Sequence, residues 1–137
     1  MSEITRSSRA AFRSSLERCK RSLFFIPDFY RTFIAAEEEV GAMFRNTDFD
    51  VQGRMLLRSL ELVADATDGQ PAGLQELNQR AMTHNRHHLD ISPRLYEIWL
   101  EAIVSSASVH DLQWNEEVED AWRSILGFAI SYMVRRH

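Results

Sequence analysis

Apolar residues recur every three or four positions along almost the whole chain, and only five glycines and three prolines interrupt them. That period matches a helix with one buried face, and runs of alternating apolar and polar residues ending in turn clusters, the mark of strands, are not seen. Phe12, Leu16, Cys19 and Leu23 set one amphipathic helix over about residues 7–22. Pro27 suits the first turn of a second helix, where its missing N–H costs little, and this helix carries Phe29, Tyr30, Phe33 and Ile34. A short piece, EEEVGAMF, ends at Phe44, with the glutamates of 37–39 at its exposed start, where negative charge suits the helix dipole. The polar connector RNTDFD offers Asp48 or Asp50 as a cap. Val51, Met55, Leu56, Leu60, Val63 and Ala64 mark a strong helix up to about Ala66. TDGQPAG reads as a turn, after which Leu74, Leu77, Ala81 and His84 share one helical face. Ser92 and Pro93 start a long helix to about Val109 with Leu95, Ile98, Trp99, Ala102 and Ile103. A last helix spans about residues 115–135, with Val118, Trp122, Ile125, Leu126, Ala129 and Met133. The expectation is an all-α fold of seven or eight helices, with Trp114 and Trp122 packing the last two together.

At 137 residues the chain suits one domain, 1–137, and can bury a core of useful size. Hydrophobic residues make up 45% and charged residues 26%, as in ordinary globular proteins, so a core is available without a membrane. No apolar run reaches the ~18 residues of a membrane span. A net charge of −4 counts against a general basic nucleic-acid surface. The N-terminus, MSEITRSSRAAFRSS, is basic but lacks the apolar centre of a signal peptide. Cys19 is alone, which excludes an internal disulfide and a thiolate zinc cage and fits a reducing cytoplasm.

The segment RAMTHNRHHLDISPRLY concentrates three of the five histidines, His84, His87 and His88, within five residues, with Arg86 among them. One reading is a solvated, basic helix end that complements the local dipole. The other is a ligand site. A neutral imidazole from a helix side chain is a common metal ligand. His84 follows Leu77 and Ala81 by seven and three residues, on the apolar face. The second ring nitrogen of such a histidine usually donates to a carbonyl or carboxylate, and the carbonyl near Arg80 or Ala81, one turn back, is the expected acceptor.

The order and intervals of these landmarks resemble a bacterial globin, of the single-domain and flavohaemoglobin-type haem-domain kind, from about residue 10 onward. DFYRTFI resembles the second-helix segment with a distal tyrosine, here Tyr30. Fourteen residues later, AMFRNT supplies Phe44 at the place of the phenylalanine that packs on the haem face. QGRMLLRSL resembles the distal helix, with Gln52 facing the ligand and Leu56 one turn on. LQELNQRAMTH resembles the proximal helix, ISPRLYEIWLEAIV and DAWRSILGFAISYM the last two. Two departures stand out. The family's tyrosine ten residues beyond the proximal histidine is absent: Tyr96 comes twelve after His84 and nine after His87. The glutamate that the family places near the proximal histidine has no counterpart in the last residues, and MVRRH is not followed by a flavin- and nicotinamide-binding reductase.

The resemblance implies haem b, with His84 as iron ligand and His87 or His88 as alternatives. His88 or Arg86 would meet a haem propionate through a charge-assisted hydrogen bond; Arg54 would do so if Gln52 faces outward. Tyr30 and Gln52 would form the distal side. A phenol in a dry pocket stabilises a diatomic ligand that gathers negative charge, dioxygen more than carbon monoxide, by ~1–3 kcal/mol. The alternative for Tyr30 is a core aromatic tied to a backbone group, and for Gln52 a solvated helix start. Phe44, Leu56, Leu60, Leu77, Tyr96 and Trp99 are the expected apolar lining, with Tyr96 also able to bond near the proximal histidine. Met43, Met55 and Met82 read as core filler rather than iron ligands.

The implied function is reversible binding of dioxygen, carbon monoxide or nitric oxide for transport, storage or sensing. Nitric oxide dioxygenation would need an external reductase. The contrasting class is a haem-free globin-like signalling or interaction module. Either suits a monomer or a homodimer, with Ile98, Val104, Ile130 and Met133 as interface candidates if exposed.

Overall fold

A computed structural model describes residues 4–84 and 91–136. Among the described residues there are seven α-helices and no strands. In chain order they are α1 (Arg6–Lys20), α2 (Phe25–Ala36), α3 (Glu38–Met43), α4 (Phe49–Thr67), α5 (Pro71–His84), α6 (Pro93–His110) and α7 (Glu116–Arg135). No helix among them is long and apolar enough to cross a membrane.

Local chemistry sets the helix ends. The Thr5 hydroxyl accepts from the Ser8 N–H at the start of α1, and Asn115 accepts from Val118 N–H at the start of α7. Each satisfies one of the orphan donors of a helix N-terminus. Asp48, not Asp50, caps α4, accepting from the backbone N–H groups of Asp50 and Val51. Helix α4 therefore begins two residues before Val51, which is left 43% exposed. The expected turn TDGQPAG shrinks to Asp68, Gly69 and Gln70, with Gly69 at φ 75° and Pro71 opening α5. Pro93 opens α6 as expected, but the Ser92 side chain makes no capping bond.

Glycine at 73 brings α4 and α5 together. A Cβ there would stand 2.3 Å from the Ala66 backbone nitrogen and 2.6 Å from the Leu62 carbonyl oxygen. Only a bare backbone admits that approach. The pair is thus pinned at the Thr67/Pro71 end, while Gln52 and Met55 on α4 and His84 on α5 line a cavity at the other.

The core joins all these helices. Trp122 is fully buried, but it packs α7 mainly on α1, edge-on to Phe12 at 4.8 Å and donating from Nε1 to Ser15 Oγ at 2.9 Å. Trp114 reaches it from the connector at 6.1 Å. Sequence periodicity cannot choose which neighbour an apolar face meets, and α7 packs on α1 as well as on the expected α6. Beside Trp122, Asp111 is buried with hydrogen bonds from Ser15 Oγ, Arg18 Nε and Nη2 and the Gln113 N–H. Burial opposes its charge, but these donors outweigh burial and hold its carboxyl below the usual range.

Three further expectations change. Leu23 lies beyond the end of α1 and is 86% exposed. The methionines are not core filler: Met43 and Met55 sit half-exposed at the cavity, and Met82 is 62% exposed. Val104 is buried, and Ile130 and Met133 line the cavity, so neither set forms the exposed apolar patch suggested for a dimer. Ile98 is partly buried against the core.

Candidate functional site

The space between α4 and α5 opens into a cavity of about 1090 Å³, counting the part in contact with solvent. Phe44, Leu56, Leu60, Leu77, Tyr96 and Trp99 all line it, as do Tyr30, Gln52 and His84. Residues from α2 through α7 are thereby brought round one space. Arg86, His87 and His88 lie outside the described residues.

His84 is the last residue of α5 and is half-buried. Its Nδ1 stands 2.8 Å from the Arg80 carbonyl oxygen and 2.9 Å from Thr83 Oγ1. The Thr83 hydroxyl is itself 3.1 Å from the same carbonyl. The arrangement that satisfies all three groups has Nδ1–H donating to the carbonyl and the threonine hydroxyl donating there too. Nε2 then keeps its lone pair, the state a metal requires. Burial holds the imidazole below its ordinary pKa; the nearby Arg80 charge adds to this and the carbonyl bond opposes it. A neutral ring is the result near pH 7.

Tyr30 lies on α2, 5% exposed, within an aromatic cluster that includes Phe29 at 4.8 Å, Phe49 at 5.2 Å and Phe44 at 5.6 Å. Its hydroxyl donates to the Gln52 carbonyl at 3.5 Å, a length at the limit of a hydrogen bond. Burial pushes the phenol up to about 12, so it stays a proton donor over the whole physiological range. Tyr96, buried at the start of α6, is likewise pushed up to about 12 by burial.

The cavity also has lining that the sequence reading missed. Phe33, Ile91, Leu95, Leu126 and Ala129 add apolar walls, and Ser59, Glu76 and Arg80 form a polar edge. The Ser59 hydroxyl donates to Glu76 Oε2 at 2.7 Å, and Arg80 Nε lies 3.0 Å from the same oxygen. A signal was present: Glu76, Arg80 and His84 fall four apart on one face of α5.

A globin-family profile matches residues 20–133. The chain belongs to the globin family. A Pseudomonas aeruginosa PAO1 protein, whose crystal structure is described as structurally highly homologous to a human haemoglobin, is similar over 94% of this chain and 97% of its own, at 30% identity and a TM-score of 0.89. Curated proteins give no match.

Globins as a family imply haem, and the residues of this globin fit it. The walls are apolar, with aromatic rings supplied by α2, α6 and Phe44, and both a neutral imidazole with one free nitrogen and a phenol line the cavity. At the edge, Arg80 Nε is buried and without a hydrogen bond, because its N–H is not directed at Glu76 despite the short separation. An orphaned cationic donor beside an apolar slot suits an amphipathic, carboxylate-bearing ring.

Proposed function

We propose that this globin holds haem b through His84 and reversibly binds a diatomic gas, dioxygen first. The carrying observation is the Nδ1 contact of His84 with the Arg80 carbonyl, which leaves Nε2 as a basic, neutral nitrogen at the cavity. Bound haem would supply an iron centre for the gas; the chain supplies everything that orients it. Arg80 and Thr83 fix the imidazole ring from the backbone side. Phe44, Leu56, Leu60, Leu77 and Trp99 exclude water, which strengthens any hydrogen bond made inside. Tyr30, weakly held by the Gln52 carbonyl, is free to turn its O–H toward a ligand that gathers negative charge, and Gln52, which lines the same cavity, would supply a second donor.

Within this reading the chain is a single domain of the flavohaemoglobin-like bacterial kind, cytoplasmic, and a monomer or homodimer. Nitric oxide dioxygenation is the enzymatic output it could support, with electrons from an external reductase. The haem-free signalling module is the competing class, and the open cavity counts against it, since a fold without a ligand gains by filling such a space.

The test is spectroscopic. The purified protein with added haem is expected to show a Soret band, and His84→Gly is expected to alter or lose it and to recover it with added imidazole. A Soret band unchanged in His84→Gly removes His84 as the ligand and turns attention to His87 and His88.

A further inference from the structure

Next to the main cavity, the cleft between α4 and α5 holds a second recess of about 470 Å³, again counting its open part. Arg54, Met55, Arg58, Ser59, Glu76 and Arg80 line it, and the last of these also line the main cavity together with Met55. Helical spacing explains the set. Arg54 and Arg58 are one turn apart on α4, Met55 and Ser59 form the next row, and Glu76 and Arg80 are one turn apart on α5.

The charges are unbalanced: three arginines meet one glutamate. Like charges one helical turn apart repel, by ~0.2–0.5 kcal/mol. Arg54 and Arg58 are exposed, and among the described residues neither is in an ion pair. Glu76 already accepts from Ser59, and the Arg80 Nε beside it is buried without a hydrogen bond. The recess thus has an excess of cationic side chains in its lining and one buried donor with nothing to bond. It opens from the edge of an apolar slot.

We infer that this recess is a carboxylate site, and that the carboxylate is a haem propionate held chiefly by Arg80. The inference rests on the haem reading above. Arg80 Nε, which makes no hydrogen bond to Glu76, would meet the carboxylate, as a guanidinium can engage both oxygens in its plane. Arg54 and Arg58 would add attraction from the open side. Because the Arg80 carbonyl also accepts from His84 Nδ1, one residue sets both the imidazole and the rim of the ring it faces. A dissolved anion such as inorganic phosphate shares this chemistry and is the alternative source.

The experiment loads the full-length apoprotein with protohaem or with its dimethyl ester, in which both carboxylates are capped, and follows release to an excess of a haem-scavenging protein. Arg80→Met, Arg80→Lys and the Arg54→Met/Arg58→Met double variant are compared with the parent. Arg80→Met is expected to release protohaem about tenfold faster, the factor one charge-assisted hydrogen bond carries. It should leave release of the ester unchanged, with Arg80→Lys in between. The double variant is expected to lose protohaem faster chiefly at low salt. Equal acceleration for both haems shows a structural role and overturns the inference, as does no effect on either. If added inorganic phosphate raises the apoprotein melting temperature only when Arg80 is present, while both haems leave alike, the recess belongs to a dissolved anion and the propionate assignment falls. Absence of a Soret band with either haem overturns the haem reading itself; a normal band with no ester discrimination overturns this inference alone.

Discussion

Replacing Tyr30 by phenylalanine separates the two roles a buried phenol can have. As a core residue tied to the backbone, its hydroxyl would contribute through the bond to the Gln52 carbonyl. That bond is 3.5 Å long, against ~2.7–2.8 Å for a good O–H···O bond. Its loss should therefore cost well under the ~1 kcal/mol of an average hydrogen bond. The ring contacts with Phe29, Phe44 and Phe49 survive the change, so no cavity forms. As a donor to a gas ligand the same hydroxyl is worth ~1.5–3 kcal/mol, because the acceptor carries charge and the site is dry. At about 1.4 kcal/mol per factor of ten, that is a roughly 10- to 150-fold faster release of dioxygen. Carbon monoxide gathers less charge, so its release should change by less than about threefold. The assay is laser-flash and stopped-flow measurement of both gases on Tyr30→Phe and the parent, beside a thermal melt of the apoprotein. With the phenol pushed up to about 12, the dioxygen rate of the parent should be flat from pH 6 to 9 as far as Tyr30 is concerned. Equal effects on the two gases would refute the donor role. A fall in stability of more than about 1.5 kcal/mol would refute the weakness of the Gln52 bond.

Two predictions concern the frame around the site. Asp111→Ala removes a buried carboxylate that four donors satisfy and leaves Arg18, only 18% exposed, without its partner. A loss of about 3–5 kcal/mol in chemical denaturation is expected. Because the folded-state carboxyl lies below its unfolded value, its contribution is present above the ordinary aspartate pKa of ~3.9 and fades as pH falls through the lowered folded value. The parent's stability should accordingly drop in that acid window, and the Asp111→Ala variant should lack this part of the slope. Gly73→Ala, though favourable for helix propensity by ~1 kcal/mol, forces a Cβ to within 2.3 Å of the Ala66 nitrogen. Net destabilisation of about 1–3 kcal/mol is expected, together with weaker haem retention, since the shift moves α5 and His84 with it; a neutral or stabilising result in urea denaturation would show that the helix pair gives way without cost.

How much of this was readable in advance depends on distance along the chain. The α2 and α4–α5 faces were legible because apolar residues three and four apart must share a side, and His84 fell on such a side behind Leu77 and Ala81. The Arg80 carbonyl was predictable for the same reason, being one turn from His84. The helix ends were less legible where two caps competed, as with Asp48 and Asp50. Glu76 and Arg80 were visible as a spacing that shares a face with His84, but their charge argued the other way, since charged residues in a helix usually face water.

The sequence by itself determined that this chain is helical, where most helices run, and which residues share each face, because those properties are set by periodicity and capping within a few residues. It also carried the ordered landmarks by which a globin is recognised. Only the tertiary structure decided which faces meet: that Trp122 ties α7 to α1, that Gly73 pins α5 onto α4, and that an arginine recess opens beside the cavity. Such choices depend on shape complementarity between segments tens of residues apart, and a linear pattern of apolar positions leaves several pairings equally open.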